Sequence, residues 1–381
     1  MDERDFISTI SGEVRSNYGQ YVYFQPNPLP FKIDMNRNLL KKATNAIILL
    51  SRLDGRSSEM GESEKEVFMK AFTLKESTHS SSIEGTRSTL SDMYMFEKMK
   101  PENENRLRDS REIINYKGAL KMGLSRINEG GNIDRDLLLD MHRILLNNVR
   151  GENKSPRKFK TEQNAIGRFG DTLDTVKLVP APPESVDYLL DNLFEYMESD
   201  EDPIIKTALI HYQFESIHPF RDGNGRIGRL MILLMLAKEG ILHSPLIYPS
   251  EYFDNRREEY IDRMYNVSSK DEFDEWFEFF MDALINQTKS SLETIDELRS
   301  YRAELKSKCS NMTELQTVEL LFSNPFINSS DVMEHCRISN PTAIKTLFSL
   351  EGKGIIRETT GKKRNMLYAA DGILEILSRR R

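Results

Sequence analysis

The sequence of 381 residues predicts a mostly α-helical protein: a helical bundle, a small β-hairpin flap and a C-terminal winged helix-turn-helix domain. Three observations predict this class. Apolar residues recur at helical spacing along most of the chain, residues 158–179 contain glycines and β-favouring residues, and the period changes from helix to strand after residue 352. A chain this long exceeds a typical domain of about 100 to 200 residues, so two or three domains are expected.

The composition indicates a folded protein without a membrane span. Hydrophobic residues make up 38% and charged residues 30% of the chain, which excludes collagen-like, mucin-like and wholly disordered classes. The longest apolar stretch, residues 230–237, is far shorter than the roughly 18 residues of a membrane span. The acidic start lacks the features of a signal peptide. Because two cysteines cannot supply a disulfide framework or a four-thiolate zinc site, we expect a cytoplasmic protein whose metal, if any, binds to oxygen.

Charge is distributed unevenly along the chain. The formal net charge is −7, yet residues 299–381 hold 14 Lys or Arg against 9 Asp or Glu. A basic tail on an acidic body is a mild indication of an anionic partner for the tail only, since electrostatic fields act within about 10 Å in salt.

Helical periodicity divides the chain into regions. Helices are predicted at 36–53, 62–77, 134–150, 184–197, 203–217, 226–238 and about 287–308. The regions are an N-terminal helical region at 1–100, a core at 101–290, a helical linker at 291–310 and the winged helix-turn-helix domain at 311–381. The proline-rich stretch at 26–30 predicts an extended entry segment, and the PAPP sequence at 180–183 ends the flap because proline cannot donate to a sheet.

The tail has the element order of a winged helix. Helices are predicted at 313–322, 329–335 and 341–352, the last capped by Asn340, followed by strands at 355–360 and 365–370. The third helix could enter a DNA major groove with Lys345 exposed, while Lys362, Lys363 and Arg364 of the wing touch phosphates. Winged helices also dock proteins, so residues 311–381 predict a DNA or a protein contact and leave the choice open.

The loop HPFRDGNGRIGR at residues 218–229 joins two predicted helices and has the composition of a phosphate site. Gly223, Asn224 and Gly225 at a helix start allow successive N–H groups to converge where the helix dipole favours negative charge. Asp222 supplies a hard oxygen ligand of the kind that Mg²⁺ accepts alongside substrate phosphates.

Three further side chains in the loop complete this chemistry. Arg226 and Arg229 lie three apart on one helix face and offer two cationic forks to phosphate oxygens. His218, with an unperturbed pKa near 6.5, suits proton acceptance at neutral pH. Each residue alone has a structural explanation, but their co-occurrence in twelve residues favours phosphate-transfer chemistry. Phe220 is the exception, since it most simply anchors the loop in the core.

The same loop carries a family resemblance. HPFRDGNGRIGR matches every fixed position of the signature HxFx(D/E)GNGRxxR, so the chain resembles a Fic (filamentation induced by cyclic AMP) protein adenylyltransferase. FKTEQNAIG at 159–167, SSSIEG at 80–85 and YFDNRREEY at 252–260 extend the resemblance over most of residues 20–285. It implies a Fic-type bundle, and transfer of AMP from ATP to a Tyr, Thr or Ser hydroxyl of a target protein, with Mg²⁺ present and pyrophosphate released.

The resemblance also implies residue roles. His218 would be the catalytic base and Asp222 the Mg²⁺ ligand. The triphosphate would be held by Gly223, Asn224, Gly225, Arg226 and Arg229, the last at the γ-phosphate.

Outside the loop, the resemblance places further residues at the nucleotide. Ile166 and Gly167 in the flap would lie beside nucleotide and target, where strand addition pairs the flap with an extended segment. Asn255 and Tyr260 could border adenine and ribose, although aromatic residues at helical spacing are usually core. In the family a basic residue often follows the Phe of the flap. This chain has Lys160 at that position, which carries the positive charge but lacks the forked geometry of a guanidinium group.

An inhibitory element is implied at residues 80–85. Ser80, Glu84 and Gly85 fit the family pattern (S/T)xxxE(G/N), and Ser80 and Glu84 lie four apart on one helix face. By spacing alone Glu84 would be an ordinary surface residue beside a helix-ending glycine. By resemblance it pairs with Arg229 in place of the γ-phosphate, so self-inhibition is expected.

Two functions therefore stay open from the sequence. One is an autoinhibited AMP transferase, with the further hypothesis that Glu84 positions water and the enzyme removes AMP as well. The other is a nucleotide-sensing, DNA-binding regulator that modifies nothing. The sequence leaves the oligomeric state open, with a homodimer among the states it allows.

Overall fold

The structure is a computed structural model that describes residues 1–99, 103–167, 176–362 and 364–379. In the body, the described helices are α1 (Arg37–Ser58), α2 (Glu62–Ile83), α3 (Leu90–Phe96), α4 (Glu104–Asn128), α5 (Arg135–Leu145), α6 (Pro183–Met197), α7 (Pro203–Ile217), α8 (Asn224–Lys238), α9 (Ser250–Asn255), α10 (Arg257–Lys270) and α11 (Phe273–Ser307). The body also contains a 3₁₀ helix (Glu3–Asp5) and strands β1 (Gly12–Ser16) and β2 (Val22–Pro26). The tail contains α12 (Met312–Ser323), β3 (Phe326–Ile327), α13 (Ser329–Cys336), α14 (Asn340–Gly352), β4 (Arg357–Glu358), β5 (Tyr368–Ala369) and α15 (Asp371–Ser378).

These elements confirm the predicted mostly α-helical class with small antiparallel sheets. Part of the predicted flap, residues 168–175, and Lys363 of the predicted wing lie outside the described residues. No described helix combines the length and the apolarity that a membrane span requires.

Two helices that are buried on almost every side, α7 and α8, form the centre of the body. The Asp202 side chain caps α7 by accepting a hydrogen bond from the Ile204 N–H at 2.9 Å, and Pro203 occupies the first turn. Helix α4 approaches α8 closely at Gly123, where a Cβ would lie 2.9 Å from the Leu234 methyl groups. This packing fixes the place where the loop between α7 and α8 emerges.

The longest helix, α11, runs from the body into the tail. It has 35 residues, and at 1.5 Å per residue this corresponds to a length of about 50 Å. Trp276 near its start donates a hydrogen bond to the Ala208 carbonyl of α7 at 3.1 Å, and Arg302 near its end pairs with Glu319 of α12. The predicted linker at 291–310 is therefore mostly a continuation of this helix, while the division into four regions stays a prediction.

Residues 12–26 form a β-hairpin that the sequence analysis did not predict. Strand β1 pairs antiparallel with β2, with Gly12 opposite Pro26 and Ser16 opposite Val22. Most of β1 is exposed, so it lacks the apolar alternation by which a half-buried strand is recognised.

Several predicted helix ends are wrong. The helix predicted at 134–150 ends at Leu145, while the helices predicted at 36–53 and 62–77 continue to Ser58 and Ile83. The helix predicted from about residue 287 begins at Phe273. The last turns of α2 are rich in Ser and Thr, and they stay helical because these polar residues are buried against neighbouring helices. Tertiary packing has overridden a weak local propensity.

The tail follows the predicted order of three helices and then strands, with one addition. Strand β5 pairs with β4 and also with β3, giving the strand order β3-β5-β4. The predicted strands at 355–360 and 365–370 shorten to two residues each. The N-cap of α14 is Ser339 rather than the predicted Asn340, which is the first helical residue.

Candidate active site

His218 stands at the end of α7 in a left-handed backbone conformation. Its φ of 50° and ψ of 58° turn the chain out of the helix, while its N–H still bonds to the Phe214 carbonyl at 2.9 Å. This conformation costs a non-glycine residue about 1–2 kcal/mol, and such strain clusters at functional sites. Its Nδ1 lies 3.2 Å from the Glu215 carbonyl oxygen, which fixes Nδ1 as the donor and leaves the Nε2 lone pair free.

The environment of His218 keeps its imidazole neutral. Only 18% of the side chain is exposed. Burial, and then the nearby Lys160 ammonium group, lower the pKa of His218 below its usual value. At neutral pH the ring is therefore able to accept a proton.

The first turn of α8 forms an open set of N–H donors. Gly223, with φ 83°, precedes the helix and provides no side-chain cap, so the first N–H groups lack intrahelical partners. The Asn224 side chain braces the loop, since its Oδ1 accepts from the Phe220 N–H and its Nδ2 donates to the Phe220 carbonyl, both at 2.8 Å. Phe220 is fully buried, as expected. This geometry suits an anion at the helix start.

Asp222 and Arg226 lie together beside this turn. The Arg226 side chain is 5% exposed, its Nη2 lies 3.3 Å from Asp222 Oδ1, and its Nη1 lies 4.0 Å from Glu112 Oε2. Its Nε has no hydrogen-bond partner among the described residues. The Asp222 carboxylate is 38% exposed and faces Gly151, where a Cβ would lie 2.5 Å from Oδ2. An accessible carboxylate beside a buried, incompletely satisfied guanidinium fits a metal-bound phosphate group.

Arg229 connects α8 to the end of α2. Its guanidinium is 1% exposed and donates to Ser80 Oγ at 2.9 Å, to the Ser80 carbonyl at 2.9 Å and to Glu84 Oε1 at 2.7 Å. Glu84 is the C-cap of α2, and Gly85 follows with φ 96°. The structure thus brings together Ser80, Glu84 and Arg229, which are far apart in sequence.

The Glu84 carboxylate lies against the first turn of α8. A Cβ on Gly225 would overlap Glu84 Oε1 and lie 2.9 Å from Arg229 Nη1. Burial by itself would raise the pKa of Glu84, but the charge of Arg229 and its hydrogen bond lower that pKa below its usual value. An ionised carboxylate therefore occupies the entrance to the N–H groups of α8.

The described part of the flap is joined to the loop between α7 and α8. Ile166 N–H donates to the Leu178 carbonyl at 2.9 Å, an isolated antiparallel bridge, and Gly167 is exposed beside it. Lys160 Nζ donates to the Ile217 carbonyl at 3.0 Å, and burial lowers the pKa of Lys160 to about 7. Asn164 Nδ2 bonds to the His218 carbonyl at 3.1 Å.

The two residues expected near adenine and ribose have different surroundings, and Tyr260 is buried close to Arg229 and Glu215. Asn255 is exposed at the end of α9. Tyr260 is 2% exposed, its ring lies 4.7 Å from that of Phe253, and its hydroxyl bonds to His211 Nε2 at 2.7 Å. Tyr260 is thus part of an aromatic cluster that supports the site, and a nucleotide contact of Asn255 and Tyr260 stays a prediction.

Sequence reasoning missed three residues around the loop. The His142 ring stacks on Phe220 at 3.9 Å, and its Nε2 lies 3.0 Å from the Asp222 carbonyl oxygen. Asn164 bonds to the backbone of the loop, and Glu215 is buried beside His218. The position of Glu215 three residues before His218 was a usable signal, whereas His142 and Asn164 had none because their partners are distant in sequence.

The sequence of this chain is similar to those of known proteins. A profile of the Fic/DOC family matches residues 132–236, and one of the Fic/DOC family N-terminal region matches residues 40–125. Protein adenylyltransferase fic-1 of Caenorhabditis elegans is 31% identical over 151 residues, which are 38% of this chain and 27% of that protein. Protein adenylyltransferase Fic of Aedes aegypti is 24% identical over 227 residues, 58% of this chain and 40% of that protein. The matched region is therefore less than half of these relatives.

Solved structures show the same fold. A Fic family protein from Desulfovibrio desulfuricans G20 superposes with a TM-score of 0.57 at 18% identity, covering 89% of this chain and 97% of that one. Fic-1 from C. elegans gives a TM-score of 0.55 at 18% identity, with 68% and 74% covered. Since both family profiles match and lie on the residues that build the site, the chain belongs to the Fic/DOC family.

Proposed function

We propose that this chain is a protein adenylyltransferase that transfers AMP from ATP to a Tyr, Thr or Ser hydroxyl of a target protein. The observation that carries the proposal is the position of His218, whose Nδ1 donates to the Glu215 carbonyl, at the loop leading into the uncapped start of α8. The similarity to proteins named protein adenylyltransferase supports the same reaction. In this reaction positioning and charge neutralisation supply most of the acceleration.

The residues take the following parts. The target hydroxyl oxygen attacks the α-phosphorus, its proton passes to Nε2 of His218, and the bond to the β-phosphate oxygen breaks to release pyrophosphate. The N–H groups of Gly223, Asn224 and Gly225 bind phosphate oxygens. A general base of this kind contributes about 10² to 10⁴-fold.

Charged side chains hold the triphosphate in this proposal. Asp222 would hold Mg²⁺, which would supply neutralisation of the charge that develops on the phosphates. Arg226 assists at the leaving phosphates, and its unpartnered Nε supports that part. Arg229 grips the γ-phosphate once Glu84 has left it.

The main test uses ATP labelled in two positions. With Mg²⁺, label at the α-phosphate should enter the protein itself, while label at the γ-phosphate should not. His218→Ala should reduce incorporation at least about 100-fold, the lower end of general-base catalysis. Equal incorporation from both labels, or an undiminished signal from His218→Ala, would count against AMP transfer.

The same proposal includes self-inhibition by Glu84. Its bond to Arg229 and its place on the first turn of α8 support competition with the γ-phosphate. A charge-assisted hydrogen bond of this kind is worth about 1.5–3 kcal/mol, so Glu84→Gly should raise AMP incorporation by about tenfold or more. Glu129→Gly is a matched control, because Glu129 is also an exposed helix C-cap followed by a glycine of positive φ.

Removal of AMP is a further hypothesis for this site. A carboxylate beside the catalytic loop could position a water for attack on a modified side chain. Wild-type protein incubated with target pre-modified by Glu84→Gly should then release AMP. If no AMP appears, the site acts in the forward direction only.

A second candidate function is a DNA-binding regulator that senses nucleotide. The tail supports it through the order α12–α13–α14 followed by strands, and through the exposed side chain of Lys345 on α14. This candidate predicts ATP-dependent retardation of DNA with no covalent label. Labelling without any retardation would favour the transferase.

A further inference from the structure

A cleft of about 590 Å³ lies between α4 and the loop that follows α5. Its lining includes Arg108, Arg111, Asn148, Arg150, Gly151 and Glu152. Gly151 forms the border with the catalytic loop, since a Cβ there would lie 2.5 Å from Asp222 Oδ2. The cleft therefore adjoins the candidate active site without including the N–H groups of α8.

Two arginines in this cleft have no counterion among the residues that the structure describes. Arg108 and Arg111 lie three apart on α4, so their side chains share one helix face, and both are exposed. Within the described ranges neither has a carboxylate at ion-pair distance or a hydrogen-bond acceptor. Their guanidinium forks are therefore available to bind an anion from solution.

The third arginine is held in place by the body. Arg150 Nε lies 2.8 Å from Glu112 Oε1, and its Nη2 lies 3.2 Å from Asp109 Oδ1. Glu112 is 3% exposed and also faces Arg226. The carboxylates of Asp109 and Glu112 therefore already have arginine partners. Along the lining itself, three arginines face one carboxylate, Glu152.

We propose that this cleft binds an acidic segment of the protein that receives AMP. The spacing supports a peptide: Cβ atoms three apart on a helix are about 5–6 Å apart, and alternate residues of an extended chain are about 6.6 Å apart. Two carboxylates at i and i+2 could thus meet Arg108 and Arg111 together. A single pyrophosphate ion would fill a small part of the volume. The inference rests on the proposed function, because it names the chemistry of that reaction's target.

Direct binding tests the cleft without any catalysis. The probe is a fluorescein-labelled hexaglutamate peptide, followed by fluorescence anisotropy with the full chain at low salt. Exposed ion pairs contribute about 0.2–1 kcal/mol each, so reversing two charges with Arg108→Glu and Arg111→Glu should weaken binding about tenfold. The doubly neutral variant, Arg108→Gln with Arg111→Gln, should weaken it less, and thermal melting checks that each variant is folded.

The matched control reverses two cations elsewhere. Arg37→Glu with Lys41→Glu changes an exposed pair four apart on α1, and it should alter binding less than about twofold if the contact is specific. Equal weakening by both double variants would reduce the effect to net charge and overturn the proposal. So would displacement of the peptide by pyrophosphate at far lower concentration than by unlabelled hexaglutamate, which would identify a product site.

A second measurement connects the cleft to the reaction. In the Glu84→Gly background, two acceptor peptides are compared, each with Tyr, Thr and Ser followed by either four Glu or four Gln. The acidic peptide should be labelled at least about fivefold faster, and Arg108→Glu with Arg111→Glu should bring the ratio to about one. An unchanged ratio would contradict the binding of an acidic target segment in the cleft. No labelling of either peptide or of the protein would contradict the proposed function instead, while the binding result would stand.

Discussion

Glu84 reaches the first turn of α8 because residue 225 has no side chain. A Cβ on Gly225 would overlap Glu84 Oε1, so Gly225→Ala must move the carboxylate or the helix. We expect this overpacking to lower the free energy of unfolding by about 1–3 kcal/mol in urea denaturation. In the Glu84→Gly background most of that cost should vanish. If the cost is the same with and without Glu84, the carboxylate does not occupy this position in solution.

Glu215 should make the stability of the folded state depend on pH. Burial raises the pKa of Glu215 from 4.5 to about 8, and Oε1 has no hydrogen-bond partner among the described residues. The folded state thus holds a proton that the unfolded state releases. The stability contribution of this group is fully present below about pH 4.5 and is lost as the pH rises to about 8.

Glu215→Gln should remove this loss. Relative to wild type, the variant should gain stability as the pH is raised from about 4.5 to about 8, measured as free energy of unfolding at each pH. Parallel curves for the two proteins would show that Glu215 is ionised in the fold.

The candidate residues of the loop between α7 and α8 could be found from sequence because they lie close together along the chain, while their roles stay predictions. His218 ends α7, Asp222 lies in the loop that follows, and Arg229 lies in the second turn of α8. The roles of His142 and Asn164 could not be predicted, since each acts on the loop through a contact with a partner more than 50 residues away.

At the scale of elements, α2 is held to α9 by buried polar contacts. Lys75 Nζ lies 3.3 Å from Glu251 Oε2, with side chains 3% and 1% exposed, and His79 Nδ1 lies 2.9 Å from Asp254 Oδ2. Neither Glu251 oxygen has a hydrogen-bond partner among the described residues. The positive charge of Lys75 therefore offsets much of the cost of burying this carboxylate. This contact lies close to Ser80, within two turns of α2.

Lys75→Met should therefore loosen the end of α2. Leaving a buried carboxylate without its cation costs about 3–5 kcal/mol, which should appear in urea denaturation. AMP incorporation should also rise, because Glu84 would be held less firmly at Arg229. Lys41→Met, an exposed lysine on α1, is the control and should change neither quantity. Restored stability in Lys75→Met with Glu251→Gln would support the pair, and its failure would contradict it.

Burial of polar residues also explains why the sequence analysis ended α2 too early. Its last turns contain Ser77, Ser80 and Ser81, which favour caps and turns over helix interiors. They remain helical because they are buried between α2 and its neighbours. Sequence periodicity reports one apolar face, and it cannot report a helix that buries polar residues as well.

At the scale of the whole molecule, the tail contacts the element that carries Glu84. Lys98 after α3 pairs with Asp331 of α13 at 2.6 Å, and Lys70 of α2 donates to the Ser323 carbonyl at 3.0 Å. The sequence predicted the tail's helices and strands from their period. It could not predict this docking, because single polar contacts between distant segments leave no periodic pattern.

The central claim is that the first turn of α8 holds a triphosphate once Glu84 is removed. The most direct measurement is a crystal structure of Glu84→Gly with Mg²⁺ and a non-hydrolysable ATP analogue. We predict phosphate oxygens on the N–H groups of Gly223 to Gly225 and the γ-phosphate on Arg229. Polyphosphate bound at another place, with this turn left empty, would contradict the claim.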